Sequence, residues 1–369
     1  MDSQVNPVSP PAVPGGTRET PRDKPRRGRI KCVVWDLDHT VWDGVLLEDG
    51  KVAAHPAVVE LITALDARGI LQSVASKNDA GAAMEQLECF GLADYFLHPR
   101  ISWNPKSDSV AEIAAALNIG LDAVAFVDDQ PFELEEVAFR HPQVLCVGAD
   151  EIGTAVAQWE EFQPRFITDE SRRRRAMYRS GIERDQAEEE AKSTGEDFLA
   201  TLEMVFTVSD AAEEDLRRAE ELTVRTNQLN STGRTYSYEE LKVLRESPDH
   251  LLLVADLEDR FGQYGKIGLA LVETSGPVWK LRLLLMSCRV MSRGVGAVLL
   301  NHIMTLARDN GARLQAEFVE TGRNRMMFVT YRFAGFRQVG ADGDALLLEA
   351  DLARVQPAPG YLVVAPRPT

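Results

Sequence analysis

Asp36-Leu37-Asp38-His39-Thr40, directly after the apolar run Ile30-Lys31-Cys32-Val33-Val34-Trp35, places two carboxylates at the end of a predicted buried strand. A short β-branched run ending in carboxylates reads as a central strand of a parallel sheet, and such sheets carry their chemistry at the carboxyl ends of their strands. Asp36 then suits a nucleophile toward phosphorus, and Asp38 an acid/base that protonates the leaving oxygen. Two carboxylates this close repel each other, so the site calls for a divalent cation, and hard Mg²⁺ suits oxygen ligands. Alone, the pattern serves as well for an acidic turn.

Three further segments extend it. The run Ile70 to Ala75 predicts a second strand ending in Ser76-Lys77-Asn78-Asp79, where a hydroxyl and backbone N–H groups can hold phosphate oxygens. Lys106, in Trp103-Asn104-Pro105-Lys106-Ser107, supplies a fixed positive charge. Ala123 to Val127 predicts a third strand, ending in Asp128-Asp129, a carboxylate pair suited to a metal shell. A lone lysine or an Asp-Asp turn is ordinary surface; strand-terminal Asp, Ser, Lys and Asp-Asp in this order are not. Thr40, Ser76, Lys77, Asn78 and Lys106 are the candidate phosphate ligands.

With these four motifs, residues 29–150 resemble the haloacid dehalogenase (HAD) superfamily of phosphotransferases. The resemblance implies Asp36 as nucleophile, Asp38 as acid/base, Ser76 and Lys106 as phosphate ligands, and Mg²⁺ held by Asp36, the Asp38 carbonyl and Asp128, with Asp129 the alternative to Asp128. Relatives acting on small molecules often insert a cap domain. Here the first gap has room for a hairpin, Trp42 to Val52, and a helix, Ala57 to Arg68; the second has room for a helix, Ala80 to Phe90, and a short strand. A capless site points to a large substrate or a protein partner, unless the second half of the chain is the lid.

The chain has 369 residues, 44% of them hydrophobic, enough for two domains with their own cores. Residues 1–28, rich in Pro, Gly, Ser and charge without an apolar segment, read as a disordered tail rather than a signal peptide. Residues 29–160 form the first domain, 161–197 a charged helical linker, 198–352 the second domain and 353–369 a Pro-rich tail. Four cysteines, Cys32, Cys89, Cys146 and Cys288, lack metal-ligand spacing and fit a reducing, cytoplasmic compartment. No run is long enough for a membrane span. A net charge of −16 argues against a nucleic-acid partner. The basic cluster Arg172 to Arg175 and the acidic run Glu188 to Glu190 predict a solvated helix from Asp169 to Lys192.

In the second half a helical stretch, Ala211 to Thr226, leads into the polar loop Asn227 to Arg234. Strands are predicted over Leu251–Leu257, Gly265–Glu273 and Val278–Met286. The last runs into Ser287-Cys288-Arg289-Val290-Met291-Ser292-Arg293-Gly294-Val295-Gly296 and an apolar helix, Ala297 to Ala307. A strand, an Arg/Gly-rich turn with Arg289 and Arg293, and a helix N-terminus make an anion site. This region resembles the N-acetyltransferase (GNAT) fold, where such a turn grips the pyrophosphate of coenzyme A. Gly294 and Gly296 match its pattern; Met291 departs from it, standing where Arg or Gln is expected. Cys288 precedes a cation and a helix entrance, both of which favour the thiolate, although an isolated cysteine at a strand end also serves as core. His302, on the apolar helix, is placed either to deprotonate an incoming thiol or as structure.

The α/β chain therefore reads as a capless HAD-like Rossmannoid parallel sheet joined to a C-terminal GNAT-like domain. That pairing, with Arg225 to Asn230, Ser287 to Val290 and Arg293-Gly294, resembles the FkbH-like family, which makes glyceryl-acyl-carrier-protein. The resemblance implies an enzyme acting on an acyl phosphate, 1,3-bisphosphoglycerate. The glyceryl unit would pass to Cys288 and then to the phosphopantetheine thiol of an acyl carrier protein, with phosphate removed at Asp36, for polyketide biosynthesis. The competing readings are a HAD-type phosphatase whose second domain only docks a carrier protein or binds coenzyme A, and a coenzyme A-dependent acyltransferase.

Overall fold

A computed structural model of the chain describes residues 29–191, 195–291 and 293–365. The tail expected over residues 1–28, Lys192, Ser292 in the Arg/Gly turn and residues 366–369 lie outside the described residues.

The chain has the α/β architecture expected of it. Among the described residues the first sheet has five parallel strands: β1 (Cys32–Trp35), β2 (Leu71–Ser76), β3 (Arg100–Ile101), β4 (Val124–Asp128) and β5 (Leu145–Gly148), in the order β3-β2-β1-β4-β5. β1 is central, with Cys32 opposite Leu71 on one side and Val124 on the other. Every residue of β1, β2 and β4 is buried because both faces are covered. Val33, Trp35, Val74 and Val127 point into one apolar layer with helices Pro56–Ala67 and Ala80–Cys89. Val34, Leu71, Ala75 and Phe126 point into the other with helices Lys106–Ala116 and Pro131–Arg140. This period-2 alternation between two dry layers pins the register that aligns the strand ends.

The hairpin expected over Trp42 to Val52 is only partly a hairpin. Trp42–Asp43 pairs antiparallel with Ala53–Ala54 around a helical turn, Leu46–Asp49. No cap domain interrupts the chain between β1 and Lys106 among the described residues.

The second sheet has eight strands among the described residues: β6 (Met204–Asp210), β7 (His250–Asp259), β8 (Gly262–Glu273), β9 (Val278–Met286), β10 (Arg313–Phe318), β11 (Arg337–Asp342), β12 (Ala345–Glu349) and β13 (Leu362–Ala365). Their order is β11-β12-β10-β9-β8-β7-β6-β13, antiparallel except for the β9–β10 and β6–β13 pairs. Helix Val295–Asp309 packs on one face, and helices Leu216–Arg225 and Tyr238–Glu246 on the other. The helix expected from Ala211 begins at Leu216, after a 3-10 turn, because the Asp215 carboxylate accepts from the Ala212 N–H.

The linker is not a solvated helix. It is two helices, Asp169–Arg172 and Arg174–Glu190, wedged between the two halves. Tyr178 and Ile182 pack on the first core, and Ala187 on the second. Arg184, 1% exposed, makes a bidentate pair with Asp259 and lies over the Tyr264 ring. Charge in this segment therefore marks contact at Arg174 and Arg184, while Arg172, Arg173, Glu189 and Glu190 face solvent.

Candidate active site

β1, β2 and β4 end side by side, so Asp36, Ser76 and Asp128 converge at one edge of the sheet, and all three are buried. Lys106, the first residue of its helix, reaches between two of them, with Nζ 2.8 Å from Asp36 Oδ1 and 2.7 Å from Asp128 Oδ2. Asp128 Oδ1 accepts from the Gln130 N–H at 2.9 Å. Burial pushes the Asp36 carboxyl above its ordinary pKa, opposed by Lys106 and by the Ser76 hydroxyl. Burial first and the Asp36 charge second raise Asp128 to about 6, against the pull of Lys106. For Lys106 burial works the other way, but the two carboxylates outweigh it and hold its pKa above that of a free lysine. The result is a dry carboxylate pair neutralised by one ammonium.

The loop after β1 is shaped by its backbone. Leu37 O accepts from the N–H groups of Thr40, Val41 and Trp42, and His39 turns the chain with φ 55°. The Asp38 carboxylate is not one of the grouped acids. Its Oδ1 accepts from Trp42 Nε1 and the Leu46 N–H, at 2.7 and 3.0 Å, and its Oδ2 from Asn78 Nδ2 at 3.0 Å. Asn78 is thus a buried holder of Asp38. Lys77 pairs with Glu133 at 2.6 Å and with neither Asp36 nor Asp128. Thr40 is 2% exposed and its hydroxyl has no hydrogen-bond partner, an orphan that a phosphate oxygen would satisfy.

One carboxylate oxygen each from Asp36, Asp128 and Asp129 lies within 4.8 Å of the others, a hard-oxygen set suited to Mg²⁺. Asp129 joins Asp128 in this cluster, and the Asp38 side chain does not.

Cys288 lies elsewhere. It begins a 3-10 turn after β9 and is half-buried, with Sγ 3.7 Å from Asn118 O. It opens onto a cleft of about 430 Å³ between the halves, lined also by Lys31, Asn118 to Asp122, Tyr178, Arg225 and Arg289. Lys31 precedes β1 and Asp122 precedes β4, so this cleft sits at the amino ends of the strands whose carboxyl ends carry Asp36. Five steps of extended chain lead from Lys31 to Asp36, about 16 Å at roughly 3.3 Å per residue. Two further contacts between the halves, Lys31 to the Arg225 carbonyl and Arg323 to Asp122, fall at the same end. Among the described residues, no hydrogen bond or ion pair joins the second half to Asp36, so it does not act as a lid there.

At Arg293 and Gly294 the Arg/Gly turn is covered rather than open to an anion. Arg293, 5% exposed, faces Glu188 and Asp185 of the linker helix at 3.4 and 3.7 Å. Gly294 is left-handed, φ 74°, and a Cβ there would lie 2.6 Å from the Tyr361 hydroxyl, so the C-terminal segment already covers this turn. The helix starts at Val295, two residues before the expected Ala297, with Gly296 in its first turn. Gly294, Gly296 and Met291 border a slot of about 450 Å³ whose lining has no charged side chain and includes Leu229, Met286 and Phe333. Met291 and Cys288 together line a third cavity, which is charged, with Arg184, Asp185, Arg289 and Arg293 in its wall. His302 lines none of these cavities; its Nε2 is buried without a partner, and burial lowers its pKa.

The sequence reading missed the cations of the cleft, Lys31, Arg174, Arg218 and Arg225. One signal was present: Arg218 and Arg225, seven residues apart, share a helix with buried Leu216, Ala219 and Leu222.

No protein-family model and no curated protein matches the chain. Among solved structures it is similar to the N-terminal part of a Bacteroides fragilis protein containing a phosphatase domain, complexed with Mg, at 34% identity over 32% of this chain, with a TM-score of 0.31. The match spans 36% of that chain. It is also similar to the PaiA N-acetyltransferase of Thermoplasma acidophilum in complex with coenzyme A, at 18% identity over 39% of this chain and 98% of that one, TM-score 0.33. The ribosomal-protein-S18-alanine N-acetyltransferase of Escherichia coli matches at 16% identity over 42% of this chain and 97% of that one, TM-score 0.32. No helix among the described residues is long and apolar enough to cross a membrane.

Proposed function

We propose that the chain is a two-site, FkbH-like enzyme that takes the glyceryl unit of 1,3-bisphosphoglycerate onto Cys288, passes it to the phosphopantetheine thiol of an acyl carrier protein for polyketide assembly, and removes phosphate at Asp36. The observation that carries the reading is the Asp36–Lys106–Asp128–Asp129 cluster at the carboxyl edge of a parallel sheet.

At that edge the Asp36 carboxylate attacks phosphorus: an Asp36–phosphorus bond forms, the bond to the ester oxygen breaks, and that oxygen takes a proton from the Asp38 carboxyl. Asp38 Oδ2 has a single hydrogen-bond partner and so a free position for the proton. Lys106 neutralises charge on the phosphoryl oxygens, and Thr40 and Ser76 offer hydroxyls. Bound Mg²⁺, held by Asp36, Asp128 and Asp129, would supply electrophilic stabilisation of the phosphoryl group. Water then cleaves the aspartyl-phosphate, with Asp38 taking its proton back.

At the other end, the slot beside Met291, which has no charged lining, suits a slender, neutral pantetheine arm. Cys288, in the neighbouring cavity, is a good acceptor from an acyl phosphate: its sulfur bonds the acyl carbon, the bond from that carbon to the phosphate oxygen breaks, and phosphate leaves. One feature favours the alternative of a phosphatase with a docking module, namely that among the described residues Cys288 opens at the amino ends of the strands whose carboxyl ends carry Asp36.

Intact-protein mass spectrometry after incubation with Mg²⁺ and freshly generated 1,3-bisphosphoglycerate separates the two. The two-site reading expects a glyceryl adduct absent from Cys288→Ala, and in Asp36→Asn an adduct on Cys288 that keeps the second phosphate as a phosphoglyceryl group, since transfer to the thiol releases only the acyl phosphate. Phosphate release by the wild type with no adduct on any form would leave the phosphatase alone.

A further inference from the structure

Six cations line the cleft at Cys288: Lys31, Arg174, Arg218, Arg225, Arg289 and Arg323. Their carboxylate partners are few. Glu221 is shared by Arg174, Arg218 and, at 3.9 Å, Arg225, while Asp122 pairs with Arg323 at 3.1 Å. Lys31 donates to the Arg225 carbonyl, and Arg289 to the Ser287 hydroxyl, so neither of these bonds neutralises a charge. This surplus sits in a concave site of a chain with net charge −16, where chance would place acids. Arg174 and Arg218, 8% and 4% exposed, each keep a buried Nε without a hydrogen-bond partner. Burial first and neighbouring arginines second hold Arg225 down at about 9, and burial followed by Arg225 holds Lys31 at about 8. Crowded, desolvated and under-partnered guanidiniums are what a multivalent anion stabilises, through charge-assisted and bidentate hydrogen bonds.

We propose that this cleft is a second phosphate-binding site, taking the phosphate dianion of a phosphorylated metabolite against Arg174, Arg218 and Arg289, with the Cys288 thiol on its wall. The inference concerns binding alone. It needs neither turnover at Asp36 nor acylation of Cys288, and so its fate is separate from that of the function proposed above.

The test is the rate at which iodoacetamide alkylates Cys288 in the full chain with EDTA present, read by peptide mass spectrometry. Exposed Cys89 is the internal reference. 3-Phosphoglycerate or inorganic phosphate at millimolar concentration, against chloride at matched ionic strength, is expected to slow Cys288 by about fivefold or more and leave Cys89 unchanged. In Arg289→Gln, whose side chain has no carboxylate partner to lose, the protection by the same probe should fall by about tenfold in apparent affinity. Absence of protection in the wild-type protein overturns the proposal whatever the variants do. So does equal protection in the wild type and in both Arg289→Gln and Arg323→Gln.

Discussion

Lys106 illustrates how one side chain can serve both folding and chemistry. It sits 2.8 and 2.7 Å from two buried carboxylates, so Lys106→Met leaves them facing each other without compensation. The expected cost is about 3–5 kcal/mol in a metal-free buffer. Thermal melts should show part of that loss recovered by added Mg²⁺, and equal losses with and without Mg²⁺ would count against a cation site between Asp36 and Asp128. Lys31 has the opposite character. Its native pKa lies at about 8, below the ordinary lysine value of 10.5, mainly because of burial. The native state therefore sheds a proton that the unfolded chain keeps. The penalty for the charged form is fully present below about pH 8 and lifts as the pH rises toward the ordinary value, so stability contributed at this position grows over that window. Denaturant titrations at several pH values should show the wild type gaining on Lys31→Met, on the order of 1–3 kcal/mol, between those limits. A pH-independent difference between the two would contradict this account.

The elements of the first sheet were legible because a continuous apolar run ending in Asp, Ser or Asp-Asp carries its strand type and its chemistry together. Asp36, Ser76, Lys106 and Asp128 follow from that pattern, and the structure gathers them at one edge. Asp38 was legible as an acid but not in its orientation, which is set by donors from Trp42, Leu46 and Asn78. The charged linker misled because composition does not distinguish a solvated guanidinium from one buried against a carboxylate, as Arg184 is against Asp259. The cationic cleft was illegible because its members come from segments as distant as Lys31, Arg174, Arg218 and Arg289, which only the packing of the two halves unites. The junction itself is tight. At Gly69, φ 72°, a Cβ would meet the Ser171 carbonyl oxygen at 2.8 Å and its Cα at 2.9 Å. Gly69→Ala should therefore cost about 1–3 kcal/mol, by strain and by displacing the linker from the first sheet. In contrast, a Cβ at Gly153, inside helix Ile152–Gln158, meets nothing within 4 Å. Gly153→Ala should be neutral or stabilising by about 0.5–1 kcal/mol, and denaturation midpoints of the pair test the contrast.

At the scale of the whole molecule, the two halves meet at the amino ends of the first sheet, and among the described residues no hydrogen bond or ion pair ties the second domain to its carboxyl edge. The two chemistries should then separate cleanly. Asp36→Asn is expected to lower p-nitrophenyl phosphate hydrolysis by at least about a thousandfold while Cys288 still accepts an acyl group, and Cys288→Ala should do the reverse. Loss of both activities in either variant would mean that the halves depend on each other for more than stability. A rigid sheet stands between the two mouths, so a group leaving one cannot slide directly into the other. The two jobs then need not be done by the same molecule. Mixing Asp36→Asn with Cys288→Ala should restore flux through the complete reaction, because each copy is whole where its neighbour is blank, and an enzyme that scavenges the intermediate should drain it in passing.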